Sequence, residues 1–205
     1  MDEIDNSILC SIFVSSLIGG DPVKLVRQKS NLSEEYVTER ILNLRKNGLI
    51  EKEKHTLTEV GRTSLRVVLT GGVFDIIHPG HIHTLTSAKE LGNVLVVVVA
   101  TDDTAEKMKK RRPLHNQNER RILVNSLSMV DLCIIGQKGD IFKTVEYVNP
   151  QIIALGYDQV HQEKFITDGC KKLNLDIKVA RLQSPVPEIS SSKIEKEYGD
   201  AIHDI

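Results

Sequence analysis

The segment Val67-Val68-Leu69-Thr70-Gly71-Gly72-Val73-Phe74-Asp75-Ile76-Ile77-His78-Pro79-Gly80-His81 passes from a short apolar strand, through a turn, into a polar-apolar helical pattern that lasts to Leu91. Adjacent glycines let the backbone turn sharply and come close to a ligand, so this turn can wrap an anion. Pro79 suits the first helical turn, where no backbone donor is needed, and makes His78 the cap. His78 and His81, three apart, then share one face. Backbone N–H groups at that helix start, the macrodipole and two imidazole donors together describe a phosphate site.

Outward from this segment, apolar strands alternate with helical patterns. Strands are expected at 66–70, 94–100, 132–135, 152–155 and 177–180. Helices are expected near 80–91, 117–128, 141–148 and 163–173, with a final one after Ser190. The unbroken apolar run from Val94 to Val99 fits a strand buried on both faces. Such alternation implies an α/β fold: a Rossmann-like parallel five-stranded sheet with helices on both faces, spanning residues 65–205.

Residues 1–64 differ, with short charged helices and no continuous apolar strand, and read as a separate small domain. Ile4, Ile8, Leu9, Ile12 and Phe13 recur at helical spacing until Gly19-Gly20. Pro22 opens a second helix. Ser33 caps a third, with Glu34 and Glu35 in its first turn, Leu32 and Val37 as a hydrophobic staple, and Gly48 as its stop. Leu49-Ile50, a charged tip and Thr56-Leu57-Thr58 suggest a two-stranded wing. Three helices and a wing resemble a winged helix-turn-helix. In that reading the third helix turns Tyr36, Thr38, Glu39, Arg40 and Asn43 outward for DNA. Winged helices also serve as dimerisation or packing modules, and a homodimer is expected.

With 205 residues and a formal charge of -1, the chain can bury a core and is no uniformly basic nucleic-acid coat. No apolar run approaches a membrane span, and the acidic N-terminus has no basic leader, so a cytoplasmic protein without membrane partners is expected. Cys10, Cys133 and Cys170 lack paired spacing and read as buried free thiols.

In a parallel sheet, every loop leaving a strand's carboxyl end emerges at the same edge, where such folds bind ligands. The pooled loops deliver 71–81, 101–115, 156–161 and 183–192. The second, read as a mobile loop, carries Lys107, Lys109, Lys110, Arg111 and Arg112, cations suited to the charge that develops in phosphoryl transfer. The third carries Gly156-Tyr157-Asp158-Gln159; the fourth ends in Ser190-Ser191-Ser192, hydroxyls that also suit a helix cap.

Val73-Phe74-Asp75 followed by His78-Pro79-Gly80-His81 resembles the HxGH signature of the cytidylyltransferase-like nucleotidyltransferases. Ile189 to Ile194 resembles that family's second signature, ISSTxI, with Ser192 in place of the usual threonine. The resemblance implies that His78 and His81 bind the triphosphate and stabilise the leaving pyrophosphate, with Lys107 and Lys109 as the matching catalytic lysines. It carries over Gly72, Val73, Phe74, Gly80, Arg120, Gly156, Tyr157, Asp158, Ser190, Ser191 and Ser192 as nucleotide-binding, and Asp75 as acceptor-binding. No residue is assigned as a metal ligand. A divalent cation, Mg²⁺, is the implied cofactor. The implied partners are a nucleoside triphosphate and a phosphorylated small-molecule acceptor, with DNA contact through residues 1–64 left open.

Within the family, "FDIIHPGHI", "LGNVLVVVVA", "GDIF" and "IIALGYDQ" are similar to archaeal FAD synthetases, which adenylylate FMN. Glycerol-3-phosphate cytidylyltransferases are the alternative, but typically show a tryptophan where Pro79 stands and an arginine where Pro185 stands. A second alternative is a DNA-binding regulator with a nucleotide-sensing domain. With 4% aromatic residues and no tryptophan, the sequence shows no obvious sandwich for a flavin ring.

Overall fold

A computed structural model describes residues 2–137, 139–157, 159–183, 193, 194 and 197. The chain divides into two compact units, Met1–Arg66 and Val67–Ile205.

The first unit contains α1 (Glu3–Ile18), α2 (Pro22–Lys29), α3 (Glu34–Lys46) and α4 (Glu59–Thr63). Side-chain oxygens cap each start: Asp2 accepts from Asp5 N, Asp21 from Val23 N, Ser33 from Tyr36 N and Thr58 from Gly61 N. Ile8, Leu9 and Ile12 of α1, Val26 of α2, and Val37, Ile41 and Leu44 of α3 supply the core. Gly48, at φ 75°, supplies the left-handed residue after α3. Gly61 lies so close to Leu49 that a Cβ would sit 2.0 Å from the Leu49 carbonyl oxygen. The expected two-stranded wing is reduced to one antiparallel bridge, Ile50 to Leu57, because the charged residues 51–55 between them are exposed and have no core to cover. Arg40 does not project freely for DNA. Its guanidinium pairs with Asp5 at 2.6 Å and with Asp2, both belonging to α1 or its cap.

In the second unit, Val94–Val99 forms β2, which lies between β1 (Val67–Gly72) and β3 (Leu132–Ile135). β4 (Ile152–Leu155) and β5 (Lys178–Arg181) complete the order β3-β2-β1-β4-β5, with every pairing parallel. Between the strands run α5 (Pro79–Glu90), α6 (Asp102–Lys109), α7 (Gln117–Asn125), α8 (Ile141–Val148) and α9 (Val160–Lys172). Parallel crossovers are right-handed, so the reversal of strand order after β3 puts α5 and α7 on one face and α8 and α9 on the other.

Alternation within the strands divides the core accordingly. Val68, Leu95, Val97 and Ala154 pack with Leu85 and Ala88 of α5 and Val124 of α7. Leu69, Val98, Ile153 and Leu155 face the side of Val145 of α8 and Ile166 of α9. The order reverses between β1 and β4, and a ligand crevice is expected outside the carboxyl ends there. Cys10, Cys133 and Cys170 are buried free thiols; burial pushes that of Cys133 up to about 12. Among the described residues, no helix is long and apolar enough to cross a membrane.

Candidate active site

β1 ends at Gly72, and the chain folds back on itself at once. A Cβ on Gly72 would meet the Phe74 ring at 2.9 Å, so only glycine lets that ring cover the strand end. Phe74 itself sits at φ 52°, an uncommon and strained conformation for an aromatic residue of the kind that clusters at ligand sites. Its buried ring abuts His81 with centroids 5.1 Å apart, and His81 stacks on His78 at 3.9 Å and 27°. His78 occupies the N-cap of α5 and Pro79 the first turn, as the spacing implies, but the His78 side chain makes no capping hydrogen bond. Nδ1 of each ring is buried without a hydrogen-bond partner among the described residues. A buried polar atom left without a partner calls for one, and beside a helix N-terminus an anion meets that need.

Burial lowers the pKa of His78, and the Lys109 ammonium pushes it the same way. His81 falls to about 4, chiefly through burial, then through His78 and Lys109, with the Ile76 backbone pulling the other way. Both rings are therefore neutral donors at pH 7, next to a fixed cation. Such an arrangement can hold phosphate oxygens and stabilise charge that grows on them.

Lys107 and Lys109 lie on α6, not on a mobile loop. Thr101 caps this helix by accepting from Thr104 N, and Lys110 closes it in the left-handed region. Lys109, in the last turn, is the one whose charge the two histidines feel; Lys107 is exposed.

Two residues expected at the ligand brace the chain internally. Arg120 is wholly buried and every guanidinium nitrogen is bonded within the chain: Nη1 to Val73 O at 2.7 Å, Nη2 to Asp102 Oδ1 at 2.7 Å, and Nε to His115 O at 2.9 Å. It thus ties the turn after β1, the start of α6 and the segment before α7 to one point. Asp75 is likewise an internal brace. Its carboxylate, 1% exposed as a residue, accepts from His115 N at 3.1 Å and from Arg111 Nη1 at 3.1 Å. His115 and Asp102 carry no assigned role in the sequence, and Arg111 reads there only as one of the loop's cations, because no local pattern marks a residue that braces a distant loop.

Gly156 and Tyr157 follow β4 at the same sheet edge. Gln159 accepts from Gly156 N at 2.8 Å and donates to Gly71 O at 3.5 Å, which links the third loop to the first. His83, two residues beyond His81, approaches Gln183 O at 3.2 Å and holds the exit of β5 against α5. Asp158, Ser190, Ser191 and Ser192 lie outside the described residues, as does most of the expected final helix. Val73 and Gly80 lie in the turn and first helical turn as expected.

Among the described residues, no group of three His, Cys, Asp or Glu side chains stands together. The nearby carboxylates of Asp75 and Asp102 are already committed to Arg111 and Arg120. These residues do not build a cage for a divalent cation.

The cytidylyltransferase-like family model matches residues 69–197, so the first unit lies outside it. An FAD synthase of Aciduliprofundum boonei is 46% identical over 134 residues, covering 65% of this chain and 80% of that protein. An FAD synthase of Methanothermus fervidus is 47% identical over 131 residues, covering 62% and 90%. A crystal structure described as a lipopolysaccharide core biosynthesis protein from Thermoplasma volcanium GSS1 is 43% identical, with a TM-score of 0.56, covering 58% of this chain and 98% of that one. The parallel sheet, the turn and paired histidines at its edge, and a family match over most of the chain agree: this protein belongs to the cytidylyltransferase-like family.

Proposed function

We propose that the protein is an FAD synthase, an adenylyltransferase that moves AMP from ATP to FMN with release of pyrophosphate. The observation that carries this reading is the pair of stacked histidines at the N-terminus of α5, each with a buried Nδ1 that has no hydrogen-bond partner among the described residues. The FAD synthase relatives, at over 40% identity across this same unit, support the choice of ATP and FMN.

An FMN phosphate oxygen attacks the α-phosphorus of ATP, the α–β bridging bond breaks, and its electron pair leaves with pyrophosphate. The acceptor is already an anion, so positioning and charge stabilisation carry the reaction, with little need of a base. His78 and His81 donate to oxygens that gain charge as the bond breaks, and Lys109 supplies a fixed cation. Arg120 and Asp75 act through the turn and α6, keeping donor and cation at one spacing. Mg²⁺ is proposed to arrive with the nucleotide, held by phosphate oxygens and water, which suits a cation that keeps much of its hydration.

This chemistry is assigned to the unit beginning at Val67. The first unit is read as a winged-helix-like packing module. A DNA role is disfavoured by the commitment of Arg40 to Asp2 and Asp5 and by Glu34, Glu35 and Glu39 on the same helix. The test is chromatographic detection of FAD from FMN and ATP, with loss of the product in His78→Ala and His81→Ala.

A further inference from the structure

Beside the phosphate turn, on the α8 and α9 face of the sheet, opens a cleft of about 570 Å³. Gly71 and Gly72, the last residues of β1 before the phosphate turn, form part of its wall. Leu69, Ile153 and Leu155 lie along the strands, while Met108 of α6, Ile141 of α8 and Phe165 of α9 stand around it. The last three are 54%, 46% and 59% exposed, unusual values for large apolar side chains grouped around one opening. Phe165 is steadied by Phe142, with ring centroids 5.4 Å apart. Among the described lining residues there is no lysine or arginine, and the polar ones are threonines, glutamines, Asp140 and His161, set in a mostly apolar wall.

Volume and chemistry together select the occupant. A three-carbon polyol phosphate would fill a small part of this space and would leave the apolar wall wet. A planar fused aromatic system matches it, burying two apolar faces and presenting heteroatoms to the threonine and glutamine side chains, Asp140 and His161. Successive residues of α6 serve the two neighbouring regions: Lys109 acts on the histidines, and Met108 lines the cleft. We infer that this cleft receives the isoalloxazine ring of the acceptor, its walls made of aliphatic side chains, a methionine and one phenylalanine instead of an aromatic sandwich. The inference rests on the FAD synthase reading and deepens it, since it names what selects FMN over a small polyol phosphate.

Ile141→Gln and Phe165→Gln place neutral polar groups on exposed walls, leaving the core intact and adding no charge to repel the FMN phosphate. In the full chain each is expected to raise the KM for FMN about tenfold, through lost apolar burial, with the KM for ATP changed less than about twofold. Lumichrome, which carries the fused ring without a phosphate, should compete with FMN in the wild-type protein and bind more weakly to both variants. An unchanged KM for FMN, or inhibition by lumichrome that is not competitive with FMN, overturns the assignment. If the wild-type protein makes no FAD, the proposed function fails separately. Lumichrome fluorescence then decides the cleft alone: quenching by the wild-type chain that weakens in both variants supports it, and no quenching overturns it.

Discussion

The imidazoles of His78 and His81 lie stacked, 3.9 Å between centroids, each with a buried Nδ1 that has no hydrogen-bond partner among the described residues. Burial, and after it the neighbouring imidazole and Lys109, discourages protonation, which is why His81 falls to about 4. A histidine that is neutral in the fold and has an ordinary value near 6.5 when unfolded takes up its proton more readily in the unfolded chain. The stability this contributes is complete above about 6.5 and is lost as pH falls towards about 4. Phosphates bound at the pair reverse the local charge and raise the pKa in the complex. ATP binding should therefore take up protons and strengthen as pH falls from 8 to 6. Calorimetry in buffers of different ionisation enthalpy measures this, and His81→Ala should reduce the uptake. Binding with no proton linkage would place the phosphates elsewhere.

Arg120 joins three segments through one buried and two partly buried contacts, so its removal leaves Asp102 and two carbonyls without their partner. Arg120→Ala should cost on the order of 2–3 kcal/mol of stability, chiefly from the buried Val73 carbonyl left unsatisfied, since the Asp102 carboxylate is partly exposed and water can replace its partner. Arg120→Lys should recover little, since one ammonium cannot reproduce a planar fork aimed at three acceptors. Thermal unfolding checks both; a variant within about 1 kcal/mol of wild type would show that the brace is dispensable.

Lys109 and Lys107 are separable. Lys109→Ala should lower kcat/KM by about a hundredfold, the usual scale for a preorganised charge-stabilising group, and Lys107→Ala by no more than a few-fold. Equal losses would mean that both lysines reach the phosphates.

Residues 67–205 expressed alone should keep making FAD, because the turn, the histidines, α6 and the cleft all lie there. A folded but inactive fragment would give the first unit a part in the site.

The sheet was legible because parallel strands buried on both faces leave unbroken runs such as 94–99, and the histidine pair because three-residue spacing stacks side chains on a helix. α6 was not: its acids and lysines read as a charged loop, and only the cap at Thr101 and the buried Ala105 mark it as a helix. Arg120 and Asp75 were recognised as site residues but given outward roles. Their burial depends on acceptors and donors from positions 73, 102, 111 and 115, and no local periodicity shows such a meeting. The cleft was invisible for the same reason, since its walls come from α6, α8 and α9 and are ordinary core residue types.

The choice of substrates tests the central claim most directly. Pyrophosphate release should be measured for the full chain over a grid of ATP, CTP, GTP and UTP against FMN and glycerol 3-phosphate. Turnover with ATP and FMN, accompanied by FAD and far above every other pair, is the predicted result. Turnover confined to CTP with glycerol 3-phosphate would contradict it.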